Sequence, residues 1–134
     1  MQLIEPLDIS EALRIDLESH TGGRVTAVPI PSDLGAGDTV ITPLGGRRLT
    51  PVSCSYDVSI GCYGADDDEA AKLACSVAGT FGLLSALDTQ TQYSDANVTN
   101  TPYQDYDPRA PQLARWSFRG TVIASGKRLD LTNY

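Results

Sequence analysis

The chain has 134 residues, 41% of them hydrophobic, and a formal net charge of -7. That length suits one domain able to bury its own core, and that composition argues against disorder throughout. The acid excess argues against non-specific DNA binding, which needs Lys and Arg on phosphates, and no apolar run approaches the roughly 20 residues that span a bilayer.

Met1 to Glu5 has neither a basic region nor a long apolar core, so no secretory signal is expected and the chain should be made and used, or assembled, in a cytosol. Met1 to His20 is expected to hold the first helix. Asp8 is its cap, with Glu11 three residues on, and Ile9, Ala12, Leu13 and Leu17 form its apolar stripe. Asp16 and Glu18 are expected to face out, and Gly22-Gly23 to end the element. His20 sits at the helix end, and spacing suggests no catalytic partner for it. Val25 to Val28 reads as a short strand whose exit is marked by Pro29 and Pro31. Pro31 to Asp38 reads as a flexible loop. Its Gly35-Ala36-Gly37 lacks the third Gly, the helix and the Lys of a phosphate cradle.

Thr39 to Thr42 reads as another short strand. Pro43 to Pro51 then reads as a turn region, with Gly45-Gly46 followed by Arg47-Arg48. The two arginines have two readings: a solvated hairpin tip, or a contact with an acidic partner surface.

The stretch Pro51 to Leu87 organises the rest. Val52, Cys54, Tyr56, Val58, Ile60 and Cys62 alternate with small or polar residues, the period of a long strand with one buried face. Gly64-Ala65-Asp66 breaks the run. Ala70, Leu73, Ala74, Val77, Ala78, Phe81 and Leu84 then recur at helical spacing. Asp66 is the expected cap with Glu69 three residues on, and Asp67 and Asp68 suit the first turn of a helix dipole. That run of acids lacks the spaced ligands and the Gly of a calcium loop.

Asp88 to Asn97 is polar, with a strand expected over roughly Gln92 to Thr99. Thr101 to Pro111 is a loop dense in Pro, Asp and Tyr. Its tyrosines either serve binding or lie back on the sheet in a pinned turn. Gln112 to Ser125 reads as a second long strand. Trp116, Phe118, Val122 and Ala124 share its core face, and it should pair with Pro51 to Tyr63. Arg109, Arg115, Arg119, Lys127 and Arg128 are half of the ten basic residues. Their plain reading is a solvated strand face and tail, and the other is a basic patch. Lys127 to Tyr134 is a mostly polar tail, too short to fold alone, and so either frayed or laid on a neighbour.

Cys54 and Cys62 lie eight residues apart on one strand, roughly 26 Å, and cannot bridge or share a metal unless the strand breaks. Cys62 and Cys75 can approach, but two thiols and His20 make a poor zinc site. Reduced, half-buried cysteines are expected. The chain carries no G-x-S-x-G, H-E-x-x-H, P-loop or paired C-x-x-C. No catalytic residue, cofactor or metal is therefore assigned, and the chain is expected not to be an enzyme. The expected fold is α+β: a mixed or antiparallel sheet of about four to five strands with two helices packed on one face. Residues 1–126 form one domain and 127–134 a C-terminal tail.

One ordered set of features goes further. A helix and a short strand lead through the Gly/Arg hairpin into Val52 to Gly64. Next come Asp66-Asp67-Asp68-Glu69-Ala70-Ala71-Lys72-Leu73-Ala74 and Pro102-Tyr103-Gln104-Asp105-Tyr106-Asp107-Pro108. The set closes on Ala114-Arg115-Trp116-Ser117-Phe118-Arg119-Gly120-Thr121-Val122. This set resembles the tail-terminator proteins of long-tailed (siphovirus-type) bacteriophages, especially those of actinobacterial hosts. The Leu129-to-Tyr134 tail is longer than that pattern has.

The resemblance implies a virion structural protein of the tail or neck, assembled in the host cytoplasm. It implies a homo-hexameric ring that caps the tail tube, stops its polymerisation and joins it to the head–tail connector or stopper, while DNA passes through the lumen without specific binding. Arg47, Arg48, Tyr103, Asp105, Tyr106 and Arg109 are the candidate partner-interface residues. Two other readings stay open. One is a connector or stopper of the same neck. The other, from a different class, is a small cytosolic ligand-binding domain or enzyme with a pocket between helix and sheet.

Overall fold

The computed structural model describes residues 2–5, 7–125 and 127–130. In chain order the elements are β1 (Gln2–Glu5), α1 (Ile9–Thr21), β2 (Val25–Ala27), β3 (Thr39–Thr50), β4 (Ser53–Gly64), α2 (Asp67–Gly82), β5 (Tyr93–Val98), β6 (Tyr103–Gln104), β7 (Ala114–Ser125) and β8 (Lys127–Asp130). The main sheet has six strands in the order β2-β3-β4-β7-β5, with β6 joining β7 off that path. Only the β2–β3 pair is parallel, so the sheet is mixed and open. Both helices pack on one of its faces, which makes the fold α+β as the patterns required.

The sheet is centred on the two strands with the clearest period of two. β4 and β7 pair antiparallel over twelve positions, from Ser53↔Ser125 to Gly64↔Ala114. Paired residues share a face, so Val58, Ile60 and Cys62 meet Phe118, Val122 and Ala124 under the helices. Leu13 and Leu17 of α1 and Ala74, Val77 and Phe81 of α2 close this core. Val52, the first residue of the expected buried run, lies instead in the turn before β4 and is 55% exposed. Gly120 lies on the buried face of β7, and a Cβ there would overlap the Phe81 ring. Its bare backbone lets Phe81 stand edge-on to Phe118, with ring centroids 5.8 Å apart.

Both helices start as their sequences specify. The Asp8 carboxylate accepts from the Glu11 amide at 3.4 Å, and Asp66 accepts from the Glu69 amide at 2.8 Å. α1 ends at Gly22 in the left-handed conformation, φ 79°. Asp16 departs from expectation. It does not face out but is 1% exposed. Its carboxylate accepts from the Gln90 and Thr91 amides at 2.8 and 3.3 Å and from the Tyr93 hydroxyl at 2.8 Å. Three donors replace the water that burial removes. They tie α1 to the entry of β5. Nearby, His20 Nε2 donates to the Asp88 carbonyl at 2.8 Å.

One further expectation is corrected, and one left open is decided. Residues 39–50 are one strand, not a short strand followed by a glycine turn. The chain passes Gly45-Gly46 through a register shift between Pro43 and Gly45, which Gly45 accommodates at φ 107°. The hairpin turn comes later, at Pro51-Val52. Of the tail's two readings, frayed or laid on a neighbour, its described part is not frayed. β8 pairs antiparallel with β1, Leu129 opposite Leu3, as a separate two-stranded ribbon. Residues 131–134 lie outside the described residues.

On the sheet face opposite the helices, Val40, Tyr63 and Ala110 form a small second core with Ile30, Leu34 and Leu113. The segments around 30–38 and 105–113 cover this end. The first is pinned rather than loose. Arg24 bonds Asp38 at 2.6 and 3.1 Å and also grips Asp33, while the Gly35 amide donates to Asp38 at 2.9 Å. Burial alone would raise the Asp38 pKa. The Arg24 and Gly35 hydrogen bonds outweigh it and bring it down.

Candidate functional site

The candidate residues fall at opposite ends of the long strands. The β3–β4 hairpin forms an arm at one end. β2 pairs with β3 only at Thr39 to Ile41, and residues 43–50 are exposed throughout. The paired positions of Arg47 and Arg48 are Ser55 and Cys54. Successive strand residues point to opposite faces. Arg48 therefore lies on the helix side and Arg47 on the other, beside Asp57 and Thr121. The two arginines do not form one patch at a hairpin tip. Arg48 also donates to the Pro51 carbonyl at 3.0 Å, bracing the turn.

Between the arm and the start of α1 lies a cleft of about 350 Å³. Among the described residues its walls include Ile9, Pro43, Cys54 and Tyr56, with Arg47 and Arg48 beside them. The wall is mostly apolar. The Tyr56 hydroxyl accepts from the Leu7 amide at 2.8 Å, and its ring forms part of the wall. Leu44, Leu49 and Val52, all exposed, extend the apolar character along the arm. The acid-free run from Thr39 to Tyr56 carries both arginines, in a chain of net charge -7.

The other end holds the Thr101 to Pro111 loop. Its anchor is Asp107, which is 2% exposed. Asp107 accepts from the Tyr63 hydroxyl at 2.8 Å and from the Arg109 amide and Nε at 3.0 Å each. Burial by itself would raise the Asp107 pKa. The bonds from Arg109 and Tyr63 overcome that and bring it down to about 2. Arg115 completes the network, 2.9 Å from Asp105 and 3.6 Å from Asp107, with its guanidinium over the Tyr63 ring. Ser117 donates to Asp105 at 3.0 Å.

Asp105 and Arg109 therefore hold the loop, and the loop shows its tyrosines: Tyr103 is 40% and Tyr106 67% exposed. The turn is pinned, but its tyrosines do not lie back on the sheet. Tyr106 borders a cleft of about 590 Å³ shared with Asp66, Asp67 and Gln104. Asp67 accepts from Trp116 Nε1 and from Gln104, each at 3.2 Å, which fixes the start of α2 against the sheet.

The sequence did not single out Asp107 or the cleft wall of Ile9, Cys54 and Tyr56, and Arg115, expected on a solvated strand face or in a basic patch, is instead largely buried and ion-paired. Asp107 was one acid among several in its loop, and only the partner Tyr63, 44 residues away, singles it out. The three cysteines are free, with Cys54 and Cys62 buried and Cys75 exposed. Burial pushes the Cys62 thiol up to about 12, despite the Thr39 hydroxyl 3.7 Å away. Among the described residues no group of three or more His, Cys, Asp or Glu side chains could hold a metal ion. Among the described residues, no helix is long and apolar enough to cross a membrane.

No family model and no curated protein matches the chain. Among solved structures, it matches a chain from the virion of a native gene transfer agent particle. The match covers 87% of this chain and 90% of that one, with a TM-score of 0.55 and 15% sequence identity. At that identity the likeness is one of fold, and it extends over nearly the whole of both chains.

Proposed function

We propose that the chain is a structural subunit of a phage-like virion, and within it a tail terminator. Six copies form a ring that caps the tail tube, stops its growth and joins it to the head–tail connector or stopper, with DNA passing through the lumen. The single observation that carries this reading is the end-to-end fold likeness to a chain of a gene transfer agent virion. The ordered sequence features that resemble tail terminators support the finer assignment.

The shape of the subunit suits the role. A closed ring needs two unlike side surfaces that fit head to tail. This subunit carries an arginine-bearing arm at one end of its sheet and an acid-flanked tyrosine loop at the other. In this reading the polar groups hold faces in register, and the chain has no catalytic, cofactor or metal role. It resides in the virion after assembly in the host cytoplasm.

The test is tube growth. Tube protein is polymerised with and without this chain, and tube lengths are measured by electron microscopy. Short tubes capped at one end support the terminator. Unchanged tube growth together with binding to a portal-side adaptor identifies a connector instead. Binding to neither removes the virion reading.

A further inference from the structure

The cleft under the arm and the Tyr106 loop are complementary in three respects. The cleft is apolar, holds about 350 Å³ and is bordered by Arg47 and Arg48. Tyr106 is an aromatic ring 67% exposed, on a loop stiffened by Pro102, Pro108 and Pro111 and clamped by the Asp107 network. Acids flank the ring: Asp66 and Asp67 line the cleft beside it, as does Asp105, which Arg115 pairs at 2.9 Å. An exposed tyrosine held on a rigid loop loses little freedom on docking, and arginine stacks well on aromatic faces.

The two features cannot meet within one chain. Tyr63, which anchors the loop, and Ser55, beside the cleft, lie eight residues apart on β4, roughly 26 Å along a straight strand.

We infer that Tyr106 of one copy seats in the apolar cleft beneath the arm of the next copy, with the acid-free arm, which carries Arg47 on one face and Arg48 on the other, set against the acids around the tyrosine loop. The contact is heterologous: each copy gives its loop to one neighbour and its cleft to the other, as a ring requires. It rests on the ring proposed above and names the surfaces that close it.

The experiment uses the full chain in a Cys75→Ser background, so that no exposed native thiol competes. One preparation carries Leu49→Cys on the arm and a second, differently tagged, carries Gln112→Cys beside the loop. The two are mixed and treated with a short bismaleimide. In parallel, the assembly of the wild type, Tyr106→Phe and Tyr106→Ser is followed by native mass, alone and with tube protein. Circular dichroism checks that each variant is folded.

The expected result is a crosslink between the two tags, wild-type assembly by Tyr106→Phe, and assembly about tenfold weaker for Tyr106→Ser. A wild-type ring that shows no crosslink and survives Tyr106→Ser overturns this contact and leaves the ring standing. A wild type that stays monomeric alone and on tube ends overturns both.

Discussion

The Tyr63 hydroxyl donates a 2.8 Å hydrogen bond to the buried carboxylate of Asp107, joining the end of β4 to a loop 44 residues further along the chain. Arg109 bonds the same carboxylate and Arg115 lies beside it, so an ionised acid sits almost without exposure among donors. Removing it leaves Tyr63 and Arg115 partly unsatisfied. Asp107→Ala is expected to lower stability by about 2–4 kcal/mol, read from the urea midpoint.

The same carboxylate sets a pH dependence. Its folded-state pKa is depressed from 3.8 to about 2. The stabilisation is therefore present above the unfolded value and is lost as pH falls through about 2. Between pH 4 and pH 2 the wild type should lose about 2 kcal/mol through this group. Asp107→Asn should lose less over that interval, measured by urea unfolding at each pH.

Gly120→Ala places a methyl group in the Phe81 ring and is expected to cost about 1–3 kcal/mol. Phe81→Leu should cost less in the Gly120→Ala background than in the wild type, because the two side chains contest one volume. Additive costs in this double-mutant cycle would contradict the packing.

Thiol labelling separates the cysteines. Cys75 should react in the native state, while Cys54 and Cys62 should wait for unfolding. Burial keeps the Cys62 thiol protonated at neutral pH. One label per chain in buffer and three in urea are expected, counted by mass.

The elements whose period is local were legible. β4, β7 and both helices announced themselves through alternating or three-and-four spacing, and Asp8 and Asp66 act as the caps their neighbours implied. β3 was not legible past Thr42. Gly45-Gly46 carries the composition of a turn, yet a register shift lets the strand continue through it. β1 and β8 escaped notice because each is four residues long and has meaning only beside the other. Asp16 followed the exposure rule for acids until Gln90, Thr91 and Tyr93 supplied its donors from over 70 residues away. At the candidate site, the loop's composition left its tyrosines either exposed or laid back on the sheet, and only the fold shows them exposed. The split of Arg47 and Arg48 across two faces was not readable either, since it follows from strand register rather than adjacency.

In the reading proposed above, copies of this chain close into a ring. The most direct measurement is particle imaging of the purified protein, alone and on the ends of tubes, with rotational symmetry counted in end-on views. The expected result is a six-fold ring with a central hole wide enough for a DNA duplex. A twelve-fold ring, or a monomer that fails to bind tube ends, would contradict it.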